Sequence, residues 1–137
     1  MTAWDRPVDD PMRWRLADAR RMQVKRVGDH LWVRVLDVER AISARELGAD
    51  GRVVIEVIDD IRPSTGGTFT VEPGSCRRTD ATPELTMHVR DLGALYLGGV
   101  GATTLARAGR VQGERDALRR ADRLFASSQT PWCATHF

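Results

Sequence analysis

GRVVIEVIDD, residues 51–60, is the strongest strand-forming stretch in the chain. Its centre, Val53-Val54-Ile55, is followed by Val57 and Ile58, so β-branched side chains fall on both faces of an extended backbone. A strand that buries both faces lies in the interior of a sheet rather than at its edge. The stretch therefore predicts a central strand, and the segments around it should supply its neighbours.

Three flanking segments carry the period-two pattern of strands. GGTFTVEPGSCRRTD (66–80) predicts a hairpin that turns at Pro73-Gly74-Ser75, and PELTMHV (83–89) alternates apolar and polar residues. MQVKRVGDHLWVRVLD (22–37) predicts a second hairpin, with Gly28-Asp29 as its turn. Together with residues 51–60, these segments predict a sheet of five or six strands.

Helical spacing of apolar residues follows in the rest of the chain. DVERAISARELG (37–48) should be capped by Asp37 and stopped by Gly48. A short helix is predicted from Pro11, and the remaining helical stretches are RDLGALYLGG (90–99), ATTLARAG (102–109) and ERDALRRADRLFAS (114–127). The fold class is therefore α+β: an antiparallel sheet with helices on one face and at the ends. Residues 1–10 are predicted to be a linker or strap, and residues 11–137 one domain.

Composition narrows the function classes. With 42% hydrophobic and 29% charged residues, the chain is typical of a globular protein. It shows no transmembrane stretch and no apolar signal region, so we expect a cytoplasmic protein without a membrane partner. Its 20 arginines and single Lys25 are interleaved with 19 acids. Because a nucleic-acid interface needs clustered positive charge, we expect no nucleic-acid partner.

Local motifs indicate no catalytic centre and no metal or cofactor site. GGVGATT (98–104) lacks the lysine of a phosphate-binding loop and is interpreted as a turn between helices. The acids Asp59 and Asp60 at a strand end are expected to be solvated. The histidines lie far apart and the cysteines have no metal-binding spacing, so reduced thiols are expected: His30, His88, His136, Cys76 and Cys133.

Several stretches together resemble a known family. DHLWVRVLDVERA (29–41), LYLGG (95–99), LARAGRV (105–111), ALRRADRLF (117–125) and the closing PWCATHF (131–137) occur in this order. They resemble the C-terminal domain of the Eis-type (enhanced intracellular survival) N-acetyltransferases of actinobacteria. The resemblance covers about residues 9–137 and implies a sterol-carrier-protein-like fold.

The resemblance also implies a multidomain parent. Members of that family carry two acetyltransferase-fold regions of the GNAT type ahead of this domain, and the first binds acetyl-CoA. Neither region is recognised in this chain. The family resemblance thus implies an accessory domain that is inactive alone and works with GNAT regions in cis or in a partner chain. It also implies an amine substrate and oligomeric contacts. Acetyl-CoA is implied only for the full-length parent.

The tail PWCATHF carries the site that the resemblance implies. The family's C-terminal carboxylate is proposed to act as general base, a role that falls here on Phe137. Trp132, His136 and Phe137 would form part of the substrate site. Three alternatives remain open: Trp132 and Phe137 merely fill the end of the core, the chain is a stand-alone carrier of a sterol or another lipid, or it is a purely structural assembly domain.

Overall fold

The computed structural model describes residues 6–28, 31–48, 50–133 and 135, which divide into two compact units. The sheet unit comprises residues 33–127, and the strap unit combines residues up to 32 with those from 128 onward. The domain boundary predicted at residue 11 stays a prediction.

The sheet unit contains five strands in the spatial order β3-β2-β1-β4-β5. The strands are β1 (Val53–Ile58), β2 (Gly67–Glu72), β3 (Ser75–Arg78), β4 (Leu85–His88) and β5 (Val111–Gly113). The predicted central position of residues 51–60 is confirmed, since β1 pairs with β2 on one side and with β4 on the other. Three of the four pairings are antiparallel, whereas β1 and β4 run parallel, so the sheet is mixed.

The hairpin formed by β2 and β3 follows the sequence pattern closely. Phe69 and Val71 are buried, whereas the residues between them face away from the core. Gly74 adopts φ +72° in the turn, a backbone conformation that favours glycine. The turn predicted at Pro73-Gly74-Ser75 is therefore confirmed.

The helices of the sheet unit pack against one face of the sheet. They are α2 (Val38–Ser43), α3 (Val89–Tyr96), α4 (Ala102–Arg107) and α5 (Arg115–Phe125). The Asp37 carboxylate accepts the Arg40 N–H at 3.0 Å, which confirms the predicted cap. The stripe of α5 is buried as its spacing predicts, and consists of Ala117, Leu118, Ala121, Leu124 and Phe125.

The core lies between these helices and one face of β1. Val53, Ile55 and Val57 point into it, whereas Glu56 is half-buried and Ile58 is exposed on the opposite face. Because successive strand residues alternate in direction, Val54 also lies on the opposite face, where it is buried. The helices thus cover the apolar face, as predicted.

Glu84 links three elements of the sheet unit. Its carboxylate accepts the Val54 N–H at 2.9 Å, and its own N–H donates to the Val54 carbonyl, also at 2.9 Å. The same carboxylate forms an ion pair with Arg120 of α5, whose Nε also donates to the Arg52 carbonyl at 3.1 Å. One side chain therefore ties α5 to the start of the parallel pair β1–β4.

The hairpin predicted over residues 22–37 is wrong for the described part of this chain. Residues 22–28 and 31–36 contain no strand, and α2 begins at Val38. Asp29 of its predicted turn lies outside the described residues. An isolated hairpin has too little apolar surface to hold itself together, and the pattern alone does not supply a partner strand.

Other boundaries also differ from the predictions. The helix predicted from Pro11 is reduced to one turn, α1 (Met12–Arg15), followed by a 3-10 turn at Ala19–Arg21 in the strap unit. The helix α2 ends well before Gly48, whose N–H donates instead to the Leu124 carbonyl at 2.8 Å. Val89 begins α3 rather than ending a strand, and the short strand β5 was not predicted.

Candidate functional site

The C-terminal tail is extended in its described part. Residues 126–133 and 135 form neither helix nor strand. Within the strap unit, the Thr130 N–H donates to the Asp9 carboxylate at 3.2 Å. Hydrogen bonds from the hydroxyl and the N–H of Thr130 lower the pKa of Asp9, so this carboxylate is ionised at neutral pH. The tail is thereby bonded to residues near the start of the chain.

Trp132 is the only predicted site residue among those described, and the residue is 53% exposed. The alternative in which Trp132 fills the end of the core is therefore wrong for this residue. An exposed indole is free to contact a ligand or another protein surface. His136 and Phe137 lie outside the described residues, so their predicted roles stay predictions.

The strap that receives the tail is itself ordered by a carboxylate. Asp10 is buried, accepts the Met12 N–H at 2.7 Å and pairs with Arg6 at 2.6 Å. The Met12 N–H and the Arg6 guanidinium lower the pKa of Asp10. The two neighbouring acids thus have separate tasks, since Asp10 holds the turn into α1 and Asp9 holds the tail. Sequence reasoning missed both: the partners of Asp10 lie only two and four residues away, whereas no local motif links Asp9 to Thr130.

An ion pair between a buried carboxylate and an exposed arginine closes the carboxyl end of β1. Asp59 accepts two hydrogen bonds from Arg34 Nη2, at 2.7 and 2.8 Å, and its side chain is fully buried. The expectation that this acid is solvated is therefore wrong. Burial acts to raise the pKa of Asp59, but the N–H groups of Arg62 and Ile61 and the charge of Arg34 outweigh it and lower the pKa.

Asp60 differs from its neighbour, since it is solvent-exposed as expected. Its carboxylate lies 3.4 Å from His88 Nε2. The other ring nitrogen of His88 accepts the Arg90 N–H at 3.2 Å and so caps α3. His88 therefore has a structural task.

The histidines and cysteines do not assemble a metal site in the described part of the chain. His30 lies outside the described residues, and the described residues hold no group of three His, Cys, Asp or Glu side chains arranged to bind a metal.

Both cysteines are free thiols, as expected. Cys76 is buried in β3, and burial, with smaller contributions from Glu39 and Asp37, raises its pKa to about 12. Cys133 lies partly exposed in the tail, with its Sγ 3.6 Å from the Thr135 carbonyl oxygen. Neither thiol has an activating cation or imidazole among its described partners.

Cavities open on the described part of the sheet unit, and two of them bear on a lipid site. One of about 190 Å³ lies between the α3–α4 turn and the end of α5, next to Leu95, Gly98 and Phe125. The other, of about 530 Å³, is lined by charged side chains that include Glu84, Glu114 and Arg120. Lipid sites are large and mostly apolar. The first cavity is too small for a sterol, and the second is too polar.

In the described part of the chain, no helix has the length and apolar character needed to cross a membrane.

Comparison with known proteins decides the family. The sequence profile of the sterol carrier protein domain matches residues 38–134. The chain belongs to the sterol carrier protein domain family. An uncharacterised N-acetyltransferase of Streptomyces avermitilis is 39% identical over 99% of this chain and 33% of its own length. The N-acetyltransferase Eis of Mycobacterium tuberculosis is 38% identical over 86% of this chain and 30% of its own length.

Solved structures give the same assignment. Crystalline Eis1 of Mycobacterium abscessus matches with a TM-score of 0.91 and 40% identity, over 96% of this chain and 34% of that one. A GCN5-related N-acetyltransferase of Kribbella flavida matches with a TM-score of 0.62 and 30% identity, over 71% of this chain and 26% of that one. This sterol carrier protein domain therefore corresponds to the C-terminal region of Eis-type and Streptomyces N-acetyltransferases, and it spans about a third of their length.

The domain's glycine-rich segment does not fit the acetyl-CoA that the relatives imply. Residues 97–101 connect α3 to α4 and residues 102–104 form the first turn of α4, so the interpretation as a turn between helices is confirmed for the glycine-rich part, residues 98–101. The amide of Thr103, at the start of α4, already donates to the Asp122 carboxylate at 3.1 Å. A Cβ at Gly101 would lie only 2.6 Å from the same carboxylate. A pyrophosphate placed here would meet negative charge instead of free amides.

Proposed function

We propose that this chain serves as the accessory C-terminal domain of an Eis-like N-acetyltransferase. In this role it forms one wall of the amine-substrate pocket and presents the Phe137 carboxylate as general base. The similarity to N-acetyltransferases over nearly the whole chain is the observation that carries the proposal. Acetyl-CoA would be bound by GNAT regions in cis or in a companion chain, because the glycine-rich turn of this domain does not fit it.

The chemistry of a terminal carboxylate suits this role. An α-carboxyl group has an ordinary pKa of about 3.3–3.7, so it is ionised at neutral pH and can accept a proton from the amine that attacks the acetyl thioester. A base must also be held in place, and the hydrogen bond between Thr130 and Asp9 restrains the tail seven residues before its end. The exposed ring of Trp132 would contact the substrate or the facing domain.

The position of Cys133 permits a direct test by native chemical ligation. An uncharacterised N-acetyltransferase of Streptomyces coelicolor is 39% identical over 93% of this chain and 32% of its own length. A chimera would carry the preceding region of this Streptomyces coelicolor relative, followed by residues 1–132 as a thioester. Ligation to the peptide CATHF, made either as the acid or as the C-terminal amide, changes only the terminal charge. We expect the amide form to lose acetyl transfer from acetyl-CoA to amines while the acid form retains it. Equal turnover of both forms would exclude the carboxylate as base.

The family description favours one alternative, a stand-alone carrier of an apolar ligand. The sizes and linings of the two cavities speak against it. Organic extraction of the purified chain followed by mass spectrometry tests this alternative, and a stoichiometric lipid would make it the better account.

A further inference from the structure

Residues 22–28 and 31–36 combine a strand-forming sequence with a structure that contains no strand. No backbone group of residues 23–28 or 31–35 bonds to another described backbone group. Four apolar side chains of this segment are strongly exposed: Val24 by 58%, Val27 by 70%, Leu31 by 58% and Trp32 by 85%. Strand-forming residues with unpaired backbone and exposed apolar side chains are typical of a strand that lacks its partner.

A segment elsewhere in the same chain shows what a partner provides. Residues 66–78 carry the same alternating pattern and form β2 and β3, because β1 offers β2 an edge to pair with. The first segment has no such neighbour among the described residues. The difference between the two segments therefore lies in the partner rather than in the strand-forming residues themselves.

The segment of residues 22–36 lies ahead of the part of the chain that matches the sterol carrier protein domain profile. The family profile begins only at residue 38, whereas the Streptomyces avermitilis and Mycobacterium abscessus relatives match 99% and 96% of this chain. The segment is thus shared with full-length acetyltransferases although it lies ahead of the domain profile. About two thirds of each relative lies outside the matched region and could supply a sheet edge.

We propose that residues 22–28 and 31–33 form two strands that add to the edge of a β-sheet in an acetyltransferase-fold region, in cis or in a companion chain. The added strands end at Val33. Beyond it, Arg34 is bonded to Asp59 and Val35 is buried in the core of the sheet unit, so these residues are already engaged. The ladder would satisfy the free backbone groups, and the partner's surface would cover Val24 and Trp32.

Charge specifies the partner edge further. Residues 19–28 carry four cations, of which Lys25 and Arg26 lie in the proposed strands and Arg20 and Arg21 just before them. Residues 22–28 and 31–33 contain no acid. Such a segment is repelled by a basic edge and attracted by an acidic one. The partner edge is therefore one that carries acidic side chains. A second copy of this chain offers the same four cations and is disfavoured as the occupant.

Hydrogen–deuterium exchange tests the proposal without relying on catalysis. The free chain would be compared with a chimera in which it replaces the matched region of the Streptomyces coelicolor relative. We expect amides in residues 22–33 to exchange rapidly in the free chain and roughly tenfold or more slowly in the chimera. Equal exchange in both proteins would overturn the proposal, and so would protection in the free chain that rises with its concentration.

Two variants separate the backbone ladder from the apolar side chain. V24P removes a ladder donor, whereas V24T keeps a β-branched residue that pairs normally. In the chimera, we expect V24P to abolish protection of residues 22–27 and V24T to preserve it. Equal protection in both variants would contradict strand addition.

The proposal rests on the assignment to an acetyltransferase but not on the terminal carboxylate. Slow amide exchange of residues 22–33 in a chimera that transfers no acetyl group would support strand addition. That outcome would contradict only the proposed role of the terminal carboxylate. If the chimera does not fold, the same measurement on the full-length Streptomyces coelicolor relative, over the segment aligned with residues 22–33, decides the question.

Discussion

The hydroxyl group of Ser43 bonds to both backbone groups of Cys76. It accepts the Cys76 N–H at 2.9 Å and donates to the Cys76 carbonyl at 3.4 Å. One turn earlier on α2, Glu39 accepts the Arg78 N–H at 2.8 Å. The outer edge of β3 is thus bonded to a helix, which closes it to pairing with another chain.

Replacing Ser43 with alanine should destabilise the chain by about 1 kcal/mol, because the Cys76 N–H then loses its partner at a covered edge. Urea unfolding followed by circular dichroism measures the change. S64A removes a hydroxyl at an exposed position and should leave the free energy of unfolding nearly unchanged. Equal urea midpoints for S43A and the unmodified chain would show that this hydrogen bond contributes nothing to the free energy of unfolding.

Gly48 should tolerate no side chain. A Cβ there would overlap the Arg123 carbonyl oxygen, whereas a Cβ at Gly28 would meet no atom within 4 Å. We expect G48A to lower the free energy of unfolding by about 1–3 kcal/mol, and G28A to change it by less than about 0.5 kcal/mol. Thermal unfolding of both variants provides the comparison, and a stable G48A would refute the close packing of Gly48 on the end of α5.

Asp59 should make stability depend on pH. Its pKa in the folded chain lies below the ordinary value of 3.8, so its contribution is present above that value and is lost as the pH falls through the folded pKa. We expect D59N to be less stable than the unmodified chain at neutral pH, with the difference in urea midpoint shrinking below about pH 4.

The control for this pH dependence is D116N, because the side chain of Asp116 is 84% exposed. Its midpoint should follow that of the unmodified chain at every pH. If the difference in urea midpoint between D59N and the unmodified chain is the same at every pH, the loss of stability in D59N arises from packing rather than from the charge of Asp59.

The two thiols should react very differently. With a pKa raised to about 12 by burial, Cys76 remains protonated at pH 8, whereas Cys133 is partly exposed. We expect a thiol reagent to modify Cys133 alone in the native chain, and both cysteines after denaturation. C133S should then show no rapid reaction, and rapid labelling of that variant would mean that β3 opens readily.

The central part of the fold could be predicted because its determinants are local. Strand β1 is marked by consecutive β-branched residues, the β2–β3 turn by Pro73-Gly74, and α5 by its apolar spacing. The three-residue strand β5 is too short to show a period, and it forms only because β4 offers an edge.

The candidate site in the C-terminal tail could be predicted only from the resemblance to a known family. Resemblance directs attention to the tail, but the bond that holds the tail joins Asp9 to Thr130, 121 residues apart. The partner of Asp59 is likewise distant, since Arg34 lies 25 residues away. Such pairs obey no local spacing rule, so only the folded chain brings them together. The hairpin prediction failed for a related reason, because pairing depends on a partner that the pattern does not contain.

The parallel alignment of β1 with β4 has a consequence for the order of folding. Each contact among β1, β2 and β3 joins strands that follow one another in the chain, whereas β4 can meet β1 only after residues 59–84 have closed a loop. Because loop closure costs entropy before the pairing is gained, the three-stranded meander should form first. Pulse-labelled exchange would then detect protection of β2 before that of β4. The half of the sheet carrying β4, β5 and α5 is thus the slower half, and it assembles on a template that the earlier strands provide.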